Sequence, residues 1–162
     1  MEQALLTWVH LVAASIWVGG AIFLGVVLSP ALRSAMPDVE ARMRLIIMVG
    51  RRFNKIAVPS LAVLMATGLY SSHALLVNYH LLGASSYGTY LAVKMALVVL
   101  LVAVYAVHVR IIRKDVEERI VAGTMPQAEL RSLRRRVIIL GEITVVLSVA
   151  ILFFAALMDA GV

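Results

Sequence analysis

Four apolar runs, Ala4–Ser29, Ile56–Val77, Tyr90–Ile112 and Val137–Leu157, govern what this chain can fold into. Each is long enough for the roughly 20 helical residues that cross a bilayer core of about 30 Å. In hydrocarbon every backbone N–H and C=O must be satisfied within the protein, and a run of this length achieves that as a helix. The chain is 62% hydrophobic and only 15% charged over 162 residues. That leaves too little polar surface to cover a soluble core of this size. The first run starts with Glu2 rather than a basic residue and is too long for a signal peptide, so it reads as a span. The expectation is an all-α, integral membrane four-helix bundle running up-down-up-down, a single domain over residues 1–162. Segments 30–55 and 113–136 join the spans.

Charge orients this bundle. The chain carries a net charge of +6, and all but Lys94 of its fifteen Lys and Arg residues fall between Arg33 and Lys55 or between Arg110 and Arg136. The stretch NYHLLGASSYGTY between the second and third runs has no charge. The positive-inside rule therefore places both basic segments in the cytoplasm and both chain ends outside, in the plasma (inner) membrane. Confinement of the basic residues to two loops argues for a lipid bilayer as their partner and against nucleic acid. No cysteine is present, so disulfides and thiolate ligands are excluded.

The two basic segments have helical character. PDVEARMRLIIMVGRRF opens with Pro37 and acids, and Val39, Met43, Ile46, Ile47 and Phe53 form a partial apolar stripe. It reads as an amphipathic helix at the membrane face or as a long lead-in to the second span. RKDVEERIVAGTMPQAELRSLRRR reads as a hairpin that continues the third span, turns near Ala122–Gly123 and restarts at Thr124, which with Gln127 has capping-box spacing. Pro59 is expected in the first turn of the second span, where its missing donor costs little. Gly19, Gly20 and Gly25 let another helix, or a flat ligand, approach the first span closely.

The polar residues inside the apolar runs carry the functional signal. With about 1.5 Å of rise per residue, His10, His73 and Lys94 fall at similar depth in the outer third of three different spans, with His80 in the loop above them. Two imidazoles at one depth imply a shared partner, since burying them unbound is costly. His10, His73 and His80 are candidate metal ligands, with Met95 and Met158 as thioether donors suited to copper. Haem b is the alternative, with axial histidine and Lys94 near a propionate. A second layer pairs His108 with Glu142 near the cytoplasmic face. Lys94, Tyr105 and His108 form a polar seam along about 21 Å of the third span. His108 is thus either half of a structural pair or a ligand for a second haem or a transiting ion. No short ligand motif such as HExxH occurs, and no residue is read as catalytic.

The residues WVHLVAASIWVGGAIFLGVVL, RRFNKIAVPSLAVLMATGLY and SYGTYLAVKMALVVLL resemble the core of the copper-resistance D (CopD) membrane domain. The matching landmarks are a His before a Trp-x-Gly-Gly turn, a basic-Phe lead-in to Thr-Gly-Leu-Tyr, and a Tyr-Gly pair before an early Lys. The resemblance implies copper handling across the inner membrane, with His10 and then His73 as functional residues. The chain is also similar to the HemJ-type protoporphyrinogen oxidases, four-span haem b proteins, through His10, Trp17, Gly20 and Lys94. It departs from them after Gly20, reading FLGVVLSPALR where that family places Leu-Pro-Arg and a second histidine.

The leading expectation is a CopD-like protein with a His-based metal site in the outer half of the bundle, handling copper. The alternative is a haem b redox protein linked to quinone or porphyrin. A homo-oligomer, or a partner membrane or periplasmic protein, fits either reading, as does a structural subunit of a larger membrane complex. The topology makes a direct prediction: a reporter fused after Val162 reports an extracytoplasmic position, and one inserted at Gly123 a cytoplasmic one. The reverse pattern of reporter activity would overturn the depth assignments.

Overall fold

The computed structural model describes residues 1–77 and 85–161. Its first span is helix α1 (Glu2–Ile22), a π-helical segment (Phe23–Leu28) and α2 (Ser29–Ala35) in unbroken succession. Pro30 explains the change of winding. It has no N–H to give to the preceding turn, and its ring crowds the carbonyl four residues back. The chain widens by one residue just before it, so that the Ser29 N–H bonds to the Leu24 carbonyl, five residues away. Gly25, on the wound-out stretch, lies where an added Cβ would meet Val145 at 3.5 Å.

Helix α3 (Val39–Val77) carries the second span and its amphipathic lead-in as one continuous 39-residue helix. Asp38 starts it, its two carboxylate oxygens accepting from the backbone N–H groups of Glu40 and Ala41 at 3.1 Å. Pro59 is thus well inside a helix rather than in a first turn, because the basic lead-in is helical and continuous with the apolar run. It is tolerated on the exposed side, and the neighbouring Ser60 hydroxyl donates to the Ile56 carbonyl at 2.8 Å. Helix α4 (Ser86–Ile111) is capped by Ser85, whose side chain accepts from the Gly88 N–H at 3.1 Å.

The connection after α4 corrects two expectations. The third span does not run on: the chain breaks at Ile112–Arg113 and α5 (Lys114–Val121) begins afresh. The turn falls at Ala122–Gly123 as expected, with Gly123 at φ +67°, a conformation L side chains rarely adopt. The capping box does not form, since α6 (Gln127–Asp159) is preceded by Pro126 and makes no side-chain cap. The Thr124 hydroxyl instead donates back to the Arg119 carbonyl at 3.2 Å and closes the turn.

Four helical stretches, Glu2–Ala35, Val39–His73, Ser86–Ile111 and Gln127–Asp159, are long and apolar enough to cross a membrane. They coincide with the four runs read from the sequence. Helix α1 packs chiefly on α3, and α4 on α6, with α1 also touching α6. Large apolar side chains such as Trp8, Val99, Val146 and Phe153 stay exposed on the outside of this assembly. A soluble chain rarely shows so much contiguous apolar surface, whereas a lipid-facing one must.

Two apolar clusters hold the helices. One comprises Trp17, Val18, Ala57, Leu61, Leu101 and Leu147 at mid-length, joined by Phe53 and Tyr105. Phe53 packs where Gly20 has no side chain, and a Cβ at Gly20 would overlap its ring, whereas Gly19 faces open space. Helix packing is therefore the use of Gly20 and Gly25. The second cluster, Met43, Ile47, Ile120, Leu130, Leu133 and Val137, lies among the basic segments. There α5 is held to α3 by an Arg51–Glu117 ion pair and by Arg44 Nε donating to the Ile120 carbonyl at 3.2 Å.

Trp17 is the most connected member of the first cluster. Only 3% exposed, it donates through Nε1 to Ser148 Oγ at 3.1 Å, and that hydroxyl donates in turn to the Thr144 carbonyl at 2.8 Å. The Tyr105 ring meets the indole edge-on, with centroids 4.9 Å apart, and Tyr105 Oη donates to Asn54 Oδ1 at 2.9 Å. One chain of contacts thus ties α1, α6, α4 and α3 together. We predict that Trp17→Phe lowers thermal stability in detergent by about 1 kcal/mol through the lost hydrogen bond. Trp17→Ala is expected to cost about 3–5 kcal/mol by opening a cavity. Equal melting temperatures for all three proteins would show that this junction does not hold the spans.

Candidate functional site

Two cavities lie between the helices, and Trp17 is the one side chain that lines both among the described residues. The first, about 360 Å³, is walled by α1, α3, α4 and α6 and contains His10, Met65, Ser72, Lys94 and Met95. Its remaining wall is apolar, including Val18, Leu61, Leu91 and Leu101. The second, about 610 Å³, contains Tyr105, His108, Asn54 and Glu142, with Arg51, Lys55, Arg113 and Lys114 among the basic residues.

His10 is half-buried, and a local arrangement on α3 decides how its ring is used. Thr67, 8% exposed, donates its hydroxyl proton to the Val63 carbonyl one turn earlier at 2.7 Å. The same Oγ1 lies 2.6 Å from His10 Nδ1. A threonine hydroxyl has one proton to give, so the assignment that satisfies both contacts has Nδ1–H donating to Oγ1. Nε2 is then the ring nitrogen that carries a lone pair. This is how a metal-binding imidazole is normally held, with one nitrogen anchored and the other available. Gly68 lies beside the ring, and a Cβ there would come 3.9 Å from His10 Cε1.

Lys94 lines the same cavity. Met95, its neighbour on α4, and Met65 on α3 place two thioethers in the wall. Imidazole and thioether are ligands that soft, monovalent copper accepts. Sequence reasoning did not single out Met65, and Thr67 entered only as the first residue of the Thr-Gly-Leu-Tyr landmark, with no role assigned. Thr67 could have been found from its position on the face of α3 opposite His10, but that needs the pairing of helices.

The other candidates are distributed differently. His73 is exposed on α3 and does not line the cavity that holds His10. His80 lies outside the described residues. Among the described residues no three His, Asp or Glu side chains cluster as a metal site would require. His10 and His73, expected to pair across one ion, do not line the same cavity. The physical reason is rotation: equal depth does not set which way a helix face points. Met158 is likewise not in the cavity wall.

His108 lines the second cavity beside Gly141, where an added Cβ would come 3.6 Å from its Cε1. Glu142 lines the same cavity but is exposed, and the two share no hydrogen bond or ion pair among the described residues. The seam of Lys94, Tyr105 and His108 is divided, Lys94 facing the first cavity and the other two the second.

Residues 47–158 match the family model described as CopD, Copper resistance protein D. The chain is 32% identical over 111 residues to the copper transport protein CutJ of Bacillus subtilis (strain 168). That alignment covers 68% of this chain but only 19% of the relative, so the chain corresponds to about a fifth of that longer protein. No solved structure matches it. A family match over more than half of the chain, together with this relative, shows that the protein belongs to the copper resistance protein D family.

Proposed function

We propose that this protein passes copper across the membrane, with the His10 cavity as the place where the ion is held. The observation that carries the reading is the Thr67–His10 hydrogen bond, which leaves Nε2 as the donor nitrogen in a cavity that also holds Met65 and Met95. One imidazole and two thioethers fit monovalent copper, which tolerates low coordination by soft ligands. Family membership supports copper as the cargo, and the name of the matched relative refers to copper transport. Neither bears on haem.

The topology proposed with it is up-down-up-down, with both basic segments in the cytoplasm and both chain ends outside. His10 then lies in the outer half of an inner-membrane protein and receives copper from the extracytoplasmic side. Lys94 opposes a cation in this cavity. At an effective dielectric constant of about 20, like charges about 12 Å apart repel by roughly 1.4 kcal/mol, about tenfold in affinity. Its ammonium therefore keeps copper weakly held, as a transported ion must be. Beyond Trp17, His108 and Glu142 offer the next polar groups along the path.

Three variants test this reading. Purified His10→Ala protein should insert and stay monodisperse but lose nearly all bound monovalent copper. Thr67→Val, which removes only the acceptor of the Nδ1 proton, should weaken copper binding about 10–100-fold. Full retention of copper by both variants in equilibrium dialysis would make His10 a packing residue. Lys94→Gln should move the other way and tighten copper binding about tenfold. An unchanged or weaker affinity would show that Lys94 supports the site instead.

A further inference from the structure

We propose that Arg33, Arg42 and Arg134 form a phosphate-binding site at the basic end of the helices, filled by the headgroup of an anionic phospholipid. The three come from three different elements, α2, α3 and α6. Arg42 Nη1 donates to the Arg33 carbonyl at 3.4 Å, and Met43, next to Arg42, packs in one buried cluster with Leu133, next to Arg134. Three guanidinium groups brought together repel one another unless an anion lies between them.

The protein's own acids do not supply it. The ion pairs of the described residues join Arg44 to Glu40, Arg51 to Glu117 and Arg119 to Glu129, and none includes Arg33, Arg42 or Arg134. Asp38, close in sequence to Arg42, is engaged in capping α3. Arg42 Nε is moreover shielded from solvent and has no hydrogen-bond partner, alone among the side-chain nitrogens and oxygens of the described residues. A buried N–H donor is costly without an acceptor, and such a group calls for a specific explanation. A phosphate oxygen meets that need, because the planar guanidinium fork matches it in shape as well as charge.

The position selects the source. Arg33 and Arg134 lie just beyond apolar runs that end at Ser29 and begin at Val137, at the level of lipid headgroups. Basic pockets between spans at this level take anionic headgroups, which the membrane presents at high local concentration. The site shares no residue with either cavity, so it stands or falls separately from the copper reading.

The test uses the purified chain in neutral detergent micelles at constant salt. They are doped with phosphatidylglycerol or phosphatidylcholine at equal mole fraction, or with inorganic phosphate added to the phosphatidylcholine micelles. Melting temperature and lipid retained by native mass spectrometry are read together. Phosphatidylglycerol should raise the melting temperature and remain bound, and Arg42→Gln and Arg134→Gln should each weaken its binding about fivefold. Arg134→Lys, which keeps the charge but not the fork, should fall between. In phosphatidylcholine alone Arg134→Gln should melt no lower than the native protein, since it relieves repulsion, and this separates lost binding from lost folding. Arg135→Gln, at an exposed position on the same helix, should change retention less than twofold. Equal weakening by Arg135→Gln would reduce the effect to general attraction and overturn the site. Stabilisation by inorganic phosphate equal to that by phosphatidylglycerol would refute the lipid source. An absence of stabilisation by either anion would refute the proposal.

Discussion

The Trp17 junction is the constraint on which the rest of this structure depends. A helix in lipid gains little from burying apolar residues against another helix, because lipid tails are just as apolar. Close packing and a few polar contacts must hold the spans instead. The indole answers both needs, filling the middle of the mid-length cluster while its N–H is taken by Ser148. Ser148 can accept that bond because its own proton is already given to the Thr144 carbonyl. Tyr105 then carries the connection to Asn54 and so to α3. The same residue that joins the helices also lines both cavities.

Hydroxyl groups recur as the device that makes polar side chains tolerable here. Ser60, Thr67, Thr144 and Ser148 are all buried, and each returns its proton to a carbonyl four residues earlier on its own helix. That habit costs the helix a little stability but leaves oxygen lone pairs facing neighbours. Two of them are used, by Trp17 and by His10. In each case a donor from α1 finds an acceptor whose geometry was prepared locally. The His10 ring is consequently held in one tautomer without a carboxylate, which would have added a charge to an apolar cavity.

The architecture was legible because it rests on quantities that a sequence displays directly. Run length against bilayer thickness located all four spans, and the turn at Gly123 followed from chain composition. Local geometry was less legible. Pro59 was expected in a first turn, yet it lies well inside an unbroken α-helix, because the basic lead-in is helical and continuous with the apolar run. The Thr124–Gln127 spacing met every local requirement of a capping box, but the tight turn at Gly123 diverted the threonine to Arg119.

What the sequence determined alone was therefore the membrane class, the four helices, the clustering of basic charge and the positions of His10, Lys94 and His108 along their helices. These depend on hydropathy and on rise per residue, both one-dimensional. Tertiary structure decided which residues meet. It put Lys94 and the thioethers of Met65 and Met95 into the cavity that His10 lines, left His73 out of it, and brought Thr67 to the His10 ring. It also brought Arg42 to the Arg33 carbonyl, and packed the α3 turn that carries Arg42 against the α6 turn that carries Arg134. The reason is rotational: a helix in a membrane has its depth set by the bilayer, but its facing is set only by the side chains of its neighbours.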